Sequence, residues 1–145
     1  MNIALPALAI TLLLTASAWA ADPKKPKTRL IDHSNVGLID EATAKAVMDE
    51  NIPAKVWKIH PAGRYAFLSQ VEGGVNASKT CVVAARVMLL PLTSTVNAVL
   101  FRPLPKGTAT AYDAIPNASN EQCKALAKEK LKEATQAVVS NIVKT

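Results

Sequence analysis

Two cysteines, two histidines and a thin scatter of serines and carboxylates are what this 145-residue chain offers for side-chain chemistry. Cys81 and Cys123 stand in no CxxC redox pair and beside no second Cys/His cluster. An even number of cysteines in an oxidising compartment favours a disulfide. One structural Cys81–Cys123 bridge is therefore expected, and closing that loop stabilises the fold by roughly 4 kcal/mol in the chain-entropy picture. His33 follows Asp32, and His60 precedes Pro61. A metal site needs three or four converging ligands, commonly with two close in sequence. Asp32-His33 is the one adjacent pair and nothing marks a third partner, so neither a metal nor a cofactor is expected.

Nucleophilic catalysis requires a Ser or Cys aimed at a base. None of the serines lies in a GxSxG elbow or an SxxK motif. Glu72 and Asp113 fall on or near expected strands, and a carboxylate pair is the machinery of glycoside hydrolysis. Aromatic residues are only 4% of the chain, however, too few for a sugar-stacking platform. Gly73-Gly74 is too short to cradle phosphate and precedes no helix. The sequence is read as that of a non-enzyme.

Arginine placement carries more information. Arg86 and Arg102 each interrupt an apolar strand pattern, and antiparallel pairing would set them on one sheet face. With Arg64, and Lys58 at the margin, they would make a basic patch for an acidic partner. The competing reading is that they snorkel at the edges of the sheet. Lys124, Lys128 and Lys132 line one side of a C-terminal helix and read as a solvated face. The shortage of aromatics removes the stacking surface that single-stranded nucleic acid uses, so nucleic acid is not an expected partner.

The amino-terminal residues supply an address. Residues 1–20 carry no charged side chain and hold an apolar run from Ile3 to Leu14, followed by Ala18-Trp19-Ala20. That small-x-small triplet fits a signal peptidase. A run of about a dozen apolar residues is too short for the ~30 Å hydrocarbon layer. Residues 1–20 are thus read as a cleavable signal peptide, atypical in lacking an early Lys or Arg. Residues 21–34 follow as a flexible basic segment, with Lys24, Lys25, Lys27 and Arg29 broken by Pro23 and Pro26. Residues 35–145 form a single domain, periplasmic or secreted. Cys81–Phe101 is apolar enough to suggest a span, but Arg86, Pro91 and Thr93-Ser94-Thr95 argue against one, leaving no transmembrane segment in the mature chain.

These residues need a scaffold. Asp40–Glu50 reads as a short helix with Asp40 as cap, Ala44, Val47 and Met48 on one face, and Asn51 with Pro53 as its stop. From Ala54 the pattern turns to strands: Lys55–His60, then Arg64–Glu72 with Tyr65, Phe67 and Val71 on one face. Gly73-Gly74 should open a polar connection. Thr80–Leu90 is apolar on both faces except for Arg86, the pattern of a central strand. Val96–Arg102 and Thr108–Ile115 complete four to five strands. Ser119 and Gln122 make a capping box for a helix of about 22 residues. Its apolar face runs through Cys123, Leu126, Ala127, Leu131, Ala134, Val138 and Ile142. The expected fold is α+β: an antiparallel sheet of four to five strands, the long C-terminal helix packed on one face, and a short N-terminal helix.

The function that fits is a small secreted or periplasmic, non-catalytic binding protein. It would be an inhibitor, immunity or accessory-type module acting on another envelope or secreted protein. The alternative is a carrier holding a small apolar ligand between sheet and helix, with Ala84, Ala85, Ala127, Ala134 and Ala137 leaving the room. An unrecognised hydrolase comes third.

Overall fold

Asp40 sets the first helix. Its carboxylate accepts from the Thr43 amide at 2.9 Å and the Thr43 hydroxyl at 2.7 Å, satisfying an amide that the first helical turn cannot pair. Helix α1 then runs Glu41–Asn51, with Ala44 and Met48 buried. In the computed structural model, which describes residues 27–92 and 104–144, six further elements follow this logic of local signal and burial. They are strand β1 (Leu30–Asp32), helix α2 (Ala54–Ile59), strands β2 (Tyr65–Val75), β3 (Cys81–Pro91) and β4 (Gly107–Ile115), and helix α3 (Asn120–Val143). The architecture is broadly α+β, with the strands in the order β1-β2-β3-β4.

The sheet is mixed rather than purely antiparallel. Strands β2, β3 and β4 form an antiparallel meander, as expected, while β1 pairs with β2 in parallel, Leu30 beside Phe67 and Asp32 beside Ser69. A parallel neighbour requires a crossover, and α1 with α2 supplies it. Strand β1 comes from the segment expected to be flexible, so the folded body begins earlier than residue 35. Three residues are too short to show a hydrophobic period. Much of what holds them lies on the neighbouring strand: the Asp32 carboxylate accepts from the Ser69 hydroxyl at 2.6 Å, beside a local bond from Ser34 of the same length.

A second correction concerns Lys55–His60, expected as a strand and found as α2. Pro53 takes the N-cap position, and Val56 and Trp57 are buried as consecutive residues while Lys55 and Lys58 stay exposed. Adjacent buried residues suit one side of a helix, not the alternation of a pleated strand. A third correction is that β2 continues through Gly73-Gly74 to Val75. These glycines take φ of +127° and +147°, and a Cβ on Gly73 would run into the Val82 carbonyl oxygen. Glycine here permits strand pairing at close approach instead of ending it. The strand expected at Val96–Arg102 lies outside the described residues.

Helix α3 spans 24 residues and begins with the expected capping box between Ser119 and Gln122. Every residue of its expected apolar face is buried, and Lys124, Lys128 and Lys132 are exposed. It lies across β2, β3 and β4. The disulfide joins Cys81 at the start of β3 to Cys123 in the first turn of α3, with Cα atoms 5.5 Å apart. Trp57 meets Phe67 edge-on at 5.4 Å, tying α2 to the same core. No described helix is long and apolar enough to cross a membrane.

Candidate interaction surface

Strand β3 decides the two faces of the sheet. Cys81, Val83, Ala85, Val87 and Leu89 are all fully buried under α3. The pleat sends Val82, Ala84, Arg86, Met88 and Leu90 to the other side. The antiparallel register then places Arg86 between Gln70 of β2 and Thr110 of β4. Ala84 lies between Glu72 and Tyr112. Gln70, Glu72, Ala84, Arg86 and Thr110 line a shallow hollow of about 160 Å³. Its floor is low because Ala84 has only a methyl group. Tyr112 at 79% and Val82 at 47% exposure stand beside it. The Gln70 amide donates to Glu72 at 3.4 Å, so the hollow carries a cation and an anion on neighbouring strands. Such a surface can exchange charged hydrogen bonds with a partner while an apolar rim excludes water.

The proposed arginine cluster divides. Arg86 is exposed at the middle of the face, whereas Arg64 precedes β2, six residues before Gln70. At ~3.3 Å per residue that is roughly 20 Å along the strand. Lys58 sits on α2, toward the same end as Arg64. Arg102 lies outside the described residues. The two carboxylates weighed for hydrolysis also part: Glu72 opposes Ala84 on the open face, while Asp113 opposes Val83 on the helix side. There Asp113 lies 3.7 Å from Lys130. Among the carrier alanines, Ala84 faces away from α3, and Ala85, Ala127 and Ala134 are fully buried in the sheet–helix contact.

Three side chains do work that the sequence reading passed over. Lys130 is buried on α3 and bonds Glu133 at 2.8 Å. That bond, aided by Glu129 at 3.4 Å, holds its ammonium above the ordinary lysine range. Its spacing midway between Leu126 and Ala134 was the signal available for it. Ser69 is buried on the core face of β2 as the donor to Asp32. His60, expected at the end of a strand before Pro61, packs edge-on against Tyr65 with ring centres 5.0 Å apart. Neither ring nitrogen has a hydrogen-bond partner of good geometry, although the Ile142 carbonyl lies close enough to favour the charged ring somewhat. Burial dominates, and with the nearby Lys106 charge it lowers the imidazole below its usual range. Among the described residues no group of three or more His, Cys, Asp or Glu side chains is placed to hold a metal ion.

No family model and no curated protein sequence matches the chain. Among solved structures, it is similar to a PelC variant from Paraburkholderia phytofirmans, a dodecamer. The identity is 13% and the TM-score 0.46, covering 79% of this chain and 90% of that one. A second PelC dodecamer from the same organism gives 10% identity and a TM-score of 0.46, covering 79% and 88%. Similarity at that level carries no statement about assembly or partner.

Proposed function

We propose that this chain is a small exported, non-catalytic binding protein that receives another envelope or secreted protein on the open face of its sheet. One observation carries the reading: the central strand presents Val82, Ala84 and Arg86 on a face that no described helix covers. Sheets that pack on one side normally alternate apolar-in and polar-out. Here the outward set holds a valine and, from β4, an exposed tyrosine beside the arginine. Tyr and Arg are the residue types that most often anchor protein interfaces. The disulfide adds support for export, because such bonds persist outside the reducing cytosol.

Affinity capture from envelope extract tests the reading, using the chain and its Arg86→Glu and Tyr112→Ala variants. One protein recovered by the parent and lost with either substitution supports it. Equal recovery of the same protein by all three forms refutes the sheet face as the binding surface.

A further inference from the structure

The charges are not spread evenly over the fold. Leu92 donates to the Arg64 carbonyl, and Lys106 donates to the Leu89 carbonyl. These bonds bring the start of β2, the end of β3 and the start of β4 to one end of the molecule. The sheet–helix packing brings the end of α3 there too, since a Cβ on Gly107 would meet Ile142 at 2.6 Å. Helix α2 joins them through His60, which feels the Lys106 charge. The stretches 53–68, 88–92, 104–109 and 138–144 meet here and contain no Asp or Glu. They contribute the exposed cations Lys55, Lys58, Arg64, Lys106 and Lys144. The same stretches carry two exposed apolar side chains, Ile59 at 56% and Leu104 at 84% exposure. Asp49 and Glu50, which close α1, stand just before the first stretch, and Glu72 and Asp113 lie further along β2 and β4.

We propose that this end of the molecule docks on an anionic phospholipid surface, its lysines among the headgroups and Leu104 and Ile59 in the outer acyl boundary. The choice of occupant rests on residue type. Lysine is depleted at protein–protein interfaces, whereas a compact, mobile ammonium suits a field of lipid phosphates. Exposed apolar side chains on a surface rich in cations match the interfacial layer, where a shallow insertion supplements charge attraction. The site is separate from the open sheet face around Arg86, so the chain can hold a protein partner while resting on a bilayer.

Vesicle flotation tests this with the chain purified from expressing cells, using pure phosphatidylcholine vesicles and vesicles containing about 30% phosphatidylglycerol. The expected result is capture by the anionic vesicles alone, strong at about 0.05 M NaCl and abolished at about 0.5 M by screening. Each cation near the surface is worth roughly fivefold in partitioning, so Lys58→Glu with Lys106→Glu should reduce binding by at least about 25-fold. Leu104→Ser, which alters no charge, should reduce it several-fold. A Lys24→Gln, Lys25→Gln, Lys27→Gln form should keep its dependence on lipid charge. Binding that ignores lipid charge overturns the proposal, as does no binding to either vesicle. So does loss confined to the variant of the amino-terminal lysines. Circular dichroism on each form checks that the fold is retained. The capture experiment at Arg86 reads a different surface, so the two proposals fail independently.

Discussion

At the scale of single residues, the cysteines pair as their even number implied, and His60 is more enclosed than its place before Pro61 suggested. The Cys81–Cys123 bond closes a separation of 42 residues, which corresponds to about 4 kcal/mol of lost unfolded-state freedom. Cys123→Ala should therefore lower the melting temperature of the oxidised protein, and the gap to the parent should shrink when both are melted in reductant. His60 makes the folded state sensitive to acid. Its pKa is depressed in the folded chain, chiefly by burial, so the unfolded state takes up the proton first as pH falls. The stabilising effect of the neutral ring is complete above the unfolded value near 6.5 and is lost as pH drops through it toward the folded value. Urea unfolding between about pH 8 and pH 5 should show stability declining, and His60→Phe, which keeps the contact with Tyr65, should flatten that decline. Asp40 and Glu41, whose carboxyls are lowered by their bonds to Thr43 and Lys45, act in the more acidic range.

At the scale of elements, legibility followed length and the locality of the stabilising contacts. Helix α3 declares itself through a cap within four residues and an apolar stripe repeated over six turns. Leu131 lies at the centre of that stripe and is fully buried. Leu131→Ala should cost roughly 2–5 kcal/mol in chemical unfolding; a loss below about 1 kcal/mol would mean that α3 is not docked on the sheet. Strand β3 was equally legible, because a long apolar run with one charge fits the middle of a sheet. Helix α2 was not. Six residues hold too few repeats to separate a period of two from one of 3.6, and Trp57 with Ile59 imitated a strand. Ile59 in fact points outward. Strand β1 was invisible because its order comes from Ser69, 37 residues away.

At the scale of the whole molecule, two surfaces emerge that no local pattern separates. The open sheet face around Arg86 mixes one cation, one anion and a tyrosine, whereas the end bearing Lys58 and Lys106 is cationic throughout. The sequence reading combined Arg86, Arg102 and Arg64, with Lys58 at the margin, into one patch because it could place residues on a face but not along it. Stability should also be graded across the sheet. Strand β3 is paired on both sides and buried beneath α3, while β1 is a three-residue edge. Amide exchange should accordingly be slowest in β3 and the facing turns of α3, and fastest among the strands in β1. Uniform protection across all four strands would contradict that order.

By itself the amino-acid sequence determined the disulfide, the α+β class, the long capped helix with its buried and solvated sides, and the central place of the Thr80–Leu90 strand. Each depends on contacts between residues a turn or two apart, or on a pair of cysteines with no other evident use. Tertiary structure decided the parallel strand at the edge, the helix at Ala54–Ile59, the partial enclosure of His60, the burial of Lys130, and the distance between Arg64 and Arg86. Those outcomes depend on which distant backbone comes to lie alongside. Pairing register and close packing set that only once the chain has closed on itself.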